Sequence, residues 1–149
     1  MIQRALFYLT YPLIMIYAPL YSRSRVVIVH DGEFLAVKAR FGDFRWHLPG
    51  GGVKRGETRK AAAVREIQEE LGIELTENDL KSLRPYGFYR NQGLFYRGEV
   101  FLTKLSDKKL DFERNSEILE AAWLPIDPNQ PRIGKIVEDS LKRIYVVKP

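Results

Sequence analysis

The segment from residue 50 to residue 73, GGGVKRGETRKAAAVREIQEELGI, constrains the fold most, because it joins a glycine-rich loop to a helix. Apolar residues recur in it at helical spacing and predict one buried helix face. These residues are Ala63, Val64, Ile67 and Leu71. Gly72 predicts the end of the helix. The glycines before the helix, which let the backbone approach a ligand closely, are Gly50, Gly51, Gly52 and Gly56.

Three glutamates, Glu66, Glu69 and Glu70, lie at the carboxyl end of this helix, where the helix dipole favours basic side chains. Glu66 and Glu70 share one helix face, and like charges at that spacing cost about 0.2–0.5 kcal/mol. A solvated charged face is the usual explanation of such a run. The alternative is a divalent cation, since Mg²⁺ prefers carboxylate and carbonyl oxygens and would reverse the sign of the local field. We favour the metal, because the glycine loop supplies carbonyls and because Arg65 and Glu57 are placed to orient the carboxylates.

The rest of the chain predicts a mixture of strands and one further helix. Two β-branched runs, residues 25–30 and 33–39, flank Asp31 and Gly32, and that dipeptide is a strong hairpin signal. Further strands are predicted at residues 81–90, 94–105 and 118–127. A C-terminal amphipathic helix is marked by Ile133, Ile136, Val137, Leu141 and Ile144. At 149 residues, the chain is expected to form one α+β domain with a sizeable core.

Residues 5–21 form an apolar N-terminal arm of 17 residues without a charge, flanked by Arg4 on one side and by Arg23 and Arg25 on the other. This length lies at the lower edge of what spans a bilayer. We expect the arm, taken as residues 1–24, to pack on the domain of residues 25–149 or to make a homodimer. The alternative is contact with a membrane surface, where the arginines would meet anionic headgroups.

Charge and cysteine content limit the classes of partner. The net charge is +5 and the isoelectric point is near 9.5, which suits polyanionic partners such as nucleotides. The basic residues are dispersed, whereas a nucleic-acid binder would concentrate them with exposed aromatic residues, so we expect no specific nucleic-acid partner. The absence of cysteine excludes a disulfide framework, a thiol nucleophile and a cysteine-based zinc site. A cytoplasmic location fits, with the arm at the inner face of the membrane as the alternative.

One stretch resembles a known family motif at every defined position. Gly51, Glu57 and residues 65–73, REIQEELGI, resemble the Nudix box, and the resemblance extends over about residues 25 to 146. It implies the Nudix fold, an α/β/α sandwich in which a mixed β-sheet lies between helices. It also implies Mg²⁺- or Mn²⁺-dependent hydrolysis of a nucleoside diphosphate linked to another moiety.

The resemblance implies a role for each matched acidic residue. Glu66 and Glu70 are the expected principal metal ligands, with Glu69 as an auxiliary ligand or a partner of Arg65. The Gly50 carbonyl lies where the family supplies a main-chain ligand.

The residues that assist the reaction are also implied. Arg65 and Glu57 are expected to orient the ligands. The general base is either Glu66 or a glutamate from a later loop, for which Glu117 is our candidate. Weaker loop candidates are Glu113 and Glu120.

Substrate choice depends on regions outside the box, and the sequence motifs of several known substrate classes are missing. We therefore expect a (deoxy)nucleoside triphosphate, with ADP-ribose or a nucleotide sugar as the alternative. A non-catalytic Nudix-fold binding module is the alternative from another class. Such modules lose box glutamates, and this sequence retains them.

Overall fold

The computed structural model describes residues 9–10, 12, 21–40, 43–91, 94–108, 110, 112 and 117–147. Five strands form one sheet: β1 (Ser22–His30), β2 (Glu33–Ala39), β3 (Lys81–Asn91), β4 (Leu94–Lys104) and β5 (Ile118–Pro125). Their spatial order is β3-β4-β1-β2-β5. β1 and β4 run parallel, whereas β1–β2, β2–β5 and β3–β4 are antiparallel. The sheet is therefore mixed, and the predicted hairpin at residues 31 and 32 joins β1 to β2.

Within the described residues from 21 to 147, the helices are α1 (Arg59–Leu71), α2 (Lys135–Val147) and a short 3₁₀ helix over Glu77–Asp79. α1 begins after Thr58, whose side chain accepts a hydrogen bond from the Ala61 N–H. It ends at Gly72, whose φ of 65° places it in the left-handed region. The first turn of α1 holds no acidic residue and the last turn no basic residue. The helix thus carries its charge against its dipole, as the sequence predicts.

The two faces of the sheet carry separate apolar clusters. On one face Val26 and Ile28 of β1 pack with Ile67 of α1. On the other face Val27 packs with Val137 of α2. Alternate residues of a strand point to opposite faces, so one buried strand serves both layers. This arrangement confirms the predicted α/β/α sandwich.

The glycine loop is fixed against the start of β1 by main-chain hydrogen bonds. Ser24 N–H donates to Gly51 O at 2.9 Å, and Val53 N–H donates to Ser22 O at 2.9 Å. The Ser24 hydroxyl also donates to the Arg59 carbonyl at 2.7 Å, in the first turn of α1. The loop and the helix that follows it are therefore held beside β1.

The N-terminal arm lies almost entirely outside the described residues, so its packing, membrane and dimer interpretations remain predictions. β1 begins at Ser22, and the predicted boundary between residues 24 and 25 therefore falls inside this strand. Among the residues that the structure describes, no helix has the length and apolar character needed to cross a membrane.

Candidate active site

An open cavity of about 710 Å³ lies where the glycine loop, the end of α1 and the start of β1 meet. Its walls carry charges of both signs. The acidic side is formed by Glu66, Glu69, Glu70 and Glu117. Basic side chains come mainly from two neighbouring strands and include Arg23, Arg25 and Arg97. A ligand in this cavity would contact carboxylates on one side and guanidinium groups on the other.

Three carboxylates converge in the cavity. Glu66, Glu70 and Glu117 each offer an oxygen, and these oxygens all lie within 4.8 Å of one another. Glu66 and Glu70 come from successive turns of α1 and are each only 9% exposed. Glu117 is exposed and arrives from the segment just before β5, where its carbonyl accepts a hydrogen bond from Arg40 N–H at 2.8 Å. The structure therefore brings the loop candidate to the two helix glutamates.

Glu70 is the carboxylate most affected by its surroundings. Burial raises the pKa of Glu70 to about 7, and the neighbouring charges of Glu66 and Glu117 add to this increase. The charge of Arg25 and a hydrogen bond from Gly50 N–H, 2.8 Å from Oε2, oppose it. The ionised form of Glu70 is therefore energetically unfavourable without a compensating positive charge. This makes Glu70 a strong candidate for binding a cation.

Arg65 organises the acidic side of the cavity through five hydrogen bonds, as many as a guanidinium has N–H donors. Two of them go to Glu57, from Nε at 2.8 Å and from Nη2 at 3.0 Å. Nη1 donates to Glu66 at 2.8 Å and to Glu69 at 3.1 Å. Nη2 also donates to Gly52 O at 2.9 Å. Arg65 thus ties the helix carboxylates to the loop, as the helical spacing predicts.

Glu57 is the principal partner of Arg65. Hydrogen bonds from Arg65 and then from the Lys54 N–H lower the pKa of Glu57 to about 2. The bond to Glu57 is also the largest cause that raises the pKa of Arg65. Both groups therefore remain charged over the physiological range.

The other acidic candidates lie outside the three-carboxylate group. The Glu69 side chain is 55% exposed and contacts Arg65 and, at 4.0 Å, Lys54. Glu120 pairs with Lys38 at 2.6 Å on the exposed surface. Glu113 lies outside the described residues. A ligand role for Glu69 stays a prediction, and its observed role is that of an Arg65 partner.

Glycine is required at two positions of the loop because the backbone there passes close to β1 and to a carboxylate. Gly50 has a φ of +119°, and a Cβ built on it would lie 2.3 Å from Ser24 O. A Cβ on Gly51 would lie 2.4 to 2.6 Å from the carboxylate atoms of Glu66. The loop can therefore reach both β1 and the carboxylates only without side chains at these positions.

Comparison with known proteins decides the family. The NUDIX domain family model matches residues 20–142. The chain belongs to the Nudix hydrolase family. A MutT-like protein of Streptomyces ambofaciens is 32% identical over 134 residues, covering 88% of this chain and 81% of that protein. The crystal structure of a MutT Nudix hydrolase from Burkholderia pseudomallei superposes with a TM-score of 0.70 at 25% identity, covering 83% of this chain and 97% of that chain.

A second Nudix relative differs in length. Nudix hydrolase 5 of Arabidopsis thaliana is 29% identical over 128 residues, which are 79% of this chain and 41% of the plant protein. The chain thus spans less than half of that relative. The shared part contains the Nudix fold and its box.

The residues of this Nudix site fit a hard divalent cation. Three carboxylate oxygens converge within 4.8 Å, and two of these carboxylates are buried with like charge. Oxygen-only donor sets of this kind suit Mg²⁺ or Mn²⁺. Glu66 and Glu70 would supply side-chain oxygens, Glu117 lies beside them, and the Gly50 carbonyl lies in the adjoining loop.

Two features of the Nudix site were not predicted from the sequence. Arg25 was linked to a membrane surface only in the alternative interpretation of the arm, and no place in the cavity was predicted for it. Its side chain lies in the cavity wall and donates to Leu48 O at 3.2 Å and to Gly50 O. His47 also lines the cavity, and its Nε2 lies 3.0 Å from Oδ1 of Asp43. The only signal for Arg25 is a single basic residue at the start of an apolar strand, and this pattern does not reveal which loop the strand contacts.

Proposed function

We propose that the chain hydrolyses a diphosphate bond in a nucleoside diphosphate linked to another moiety, with a divalent cation held mainly by Glu66 and Glu70 and with Glu117 beside it. The observation that carries this proposal is the convergence of these three carboxylates within 4.8 Å at the glycine loop. When bound there, Mg²⁺ or Mn²⁺ would neutralise phosphate oxygens and lower the pKa of the attacking water.

The three carboxylates have different surroundings, which favours different roles. Glu66 accepts a hydrogen bond from Arg65, and Glu70 accepts one from Gly50 N–H. These contacts hold both carboxylates in place, which supports their role as ligands. Glu117 is the exposed member of the group and faces the solvent from which the water must come. We therefore assign proton abstraction from the water to Glu117 and a holding role to the other two.

The basic side of the cavity supports a substrate with several phosphates. Arg23 and Arg97 line it from β1 and β4, which run side by side in parallel. The Arg23 guanidinium lies 4.7 Å from the centroid of the Tyr96 ring, so that an aromatic surface and a fixed charge adjoin. A (deoxy)nucleoside triphosphate has both parts that such a site binds. Its base stacks on an aromatic ring, and its phosphate charges bind guanidinium groups.

A hydrolysis assay that separates and quantifies the nucleotide products tests this function. Triphosphates, nucleotide sugars, ADP-ribose and dinucleotides are compared at equal concentration with Mg²⁺ or Mn²⁺ and with a chelator. We expect metal-dependent hydrolysis that is fastest with a nucleoside triphosphate. Faster turnover of ADP-ribose or a nucleotide sugar would reassign the substrate, and binding of nucleotides without any turnover would indicate the non-catalytic module.

A further inference from the structure

The carbonyls of residues 49–52 in the glycine loop have different kinds of partner. In order, their partners are the Val26 N–H, the Arg25 side chain, the Ser24 N–H and the Arg65 side chain. The first and third bonds are main-chain bonds to β1, and the fourth belongs to the Arg65 network. Of these four carbonyls, that of Gly50 is therefore the one bound by a side chain of β1, and this side chain lies outside the Arg65 network.

Both polar groups of Gly50 connect it to the charged site. Its N–H donates to Glu70 at 2.8 Å, and its carbonyl accepts from Arg25, which also donates to Leu48 O at 3.2 Å. The charge of Arg25 interacts electrostatically with the charges of Glu70 and Glu66. Arg25 thus contacts a carbonyl beside the carboxylates and offsets part of their negative charge.

We propose that Arg25 competes with the divalent cation for the Gly50 carbonyl and for the negative charge of Glu66 and Glu70. Arg25 is then a positioning residue, which keeps the glycine loop and the carboxylates in place and must release the carbonyl to the cation. This proposal rests on the proposed function, because it presumes that Glu66 and Glu70 bind a metal ion.

The chemistry of the two cations supports competition. A guanidinium is planar and binds carbonyls by hydrogen bonds, whereas Mg²⁺ and Mn²⁺ require oxygen ligands at short distance in a compact shell. Two positive groups beside the same oxygen also repel each other in a poorly solvated site. Removal of Arg25 should therefore strengthen cation binding, whereas a residue that merely supports the loop would weaken it when removed.

The test is the dissociation constant of Mn²⁺, measured by the paramagnetic resonance of free Mn²⁺, for the wild type, Arg25→Met and Arg23→Met. Arg23 is the matched control, because it lines the same cavity but its guanidinium lies against Tyr96. We expect Arg25→Met to bind Mn²⁺ about tenfold more tightly, and Arg23→Met to change by no more than about threefold. Unchanged or weaker binding in Arg25→Met, or equal tightening in both variants, would overturn the proposal.

Thermal unfolding supplies a second measurement. Without metal, Arg25→Met should unfold at a lower temperature than the wild type, because the loop loses its anchor. The increase in unfolding temperature at a fixed Mn²⁺ concentration should nevertheless be larger in Arg25→Met, since stabilisation follows the dissociation constant. A smaller increase than in the wild type would contradict competition.

Arg25→Lys covers the case in which Arg25→Met does not fold. The ammonium keeps the charge but lacks the planar guanidinium whose Nη1 donates to both carbonyls. We expect Mn²⁺ to bind this variant about threefold more tightly than the wild type, and unchanged or weaker binding would refute the proposal. If the wild type bound no Mn²⁺, the proposed function itself would be refuted. The proposed competition between Arg25 and the cation would then be refuted as well.

Discussion

The backbone N–H of Gly50 donates a hydrogen bond to Oε2 of Glu70 at 2.8 Å. This contact joins the glycine loop to the last turn of α1, twenty residues later in the chain. It fixes one oxygen of a buried carboxylate that has two like-charged neighbours, Glu66 and Glu117, and an opposite charge nearby on Arg25. The loop thereby stabilises an acidic helix end that the helix dipole disfavours.

The raised pKa of Glu70 predicts how stability depends on pH when metal is removed by a chelator. Its pKa is about 7 in the folded protein, against an ordinary value of 4.5, so the folded state binds the proton more tightly than the unfolded state. Its contribution is therefore most favourable below pH 4.5, decreases as the pH rises from 4.5 to 7, and is constant above. The loss amounts to at most roughly 3 kcal/mol.

Urea unfolding at pH 5 and pH 8 measures this effect. The difference between the two free energies of unfolding should shrink in Glu70→Gln, which cannot titrate, and in the wild type with saturating Mg²⁺. An equal pH dependence in the wild type and in Glu70→Gln would show that Glu70 is not its source.

Arg65→Lys is predicted to reduce the catalytic rate about 10- to 100-fold, the range for residues that orient metal ligands. A lysine cannot make the five hydrogen bonds of Arg65, and the two bonds to Glu57 are replaced by one at most. A double-mutant cycle compares the rates and unfolding free energies of Arg65→Lys, Glu57→Gln and the double variant. The effects should be non-additive because the residues are in contact; additive effects would mean that the pair does not act as a unit.

Glu117→Gln is predicted to reduce the maximal rate about 10²-fold or more, as expected for removal of a general base. Mn²⁺ affinity should change little, because the two buried helix carboxylates remain. The rate and the Mn²⁺ dissociation constant are compared with those of Glu66→Gln. A nearly normal rate in Glu117→Gln with a much lower one in Glu66→Gln would make Glu66 the base, and a large loss of Mn²⁺ affinity in Glu117→Gln would make Glu117 a ligand.

Deletion of residues 1–20 is predicted to leave Mn²⁺ binding intact and to change solubility or oligomeric state, because the deletion spares β1 and removes many large apolar side chains. Each of these gains roughly 1.5–3 kcal/mol on burial and therefore requires a partner surface. Size-exclusion chromatography and liposome flotation of both forms distinguish the partners. Salt-sensitive flotation with anionic vesicles that is lost on deletion would contradict packing and establish membrane contact.

The sequence predicts the elements whose signals are local. The helix and its acidic end follow from spacing, and the contact of Arg65 with Glu69 follows from the i, i+4 rule. The parallel pairing of β1 with β4 joins Ser22 to Arg97, and no local pattern specifies such a register. The place of Arg25 in the cavity was not predicted for the same reason, because its partners are set by where the loop crosses β1. The position of Glu117 required the family resemblance.

The most direct test of the account is the rate of Mg²⁺-dependent substrate hydrolysis by Glu70→Gln, measured beside Glu120→Gln on the best substrate of the wild type. Both changes remove one carboxylate charge, but Glu120 lies on the exposed surface with Lys38 and outside the three-carboxylate group. We predict that Glu70→Gln folds and loses about 10²-fold or more of the rate, whereas Glu120→Gln stays near the wild type. A folded Glu70→Gln with a wild-type rate would contradict the assignment of the metal site.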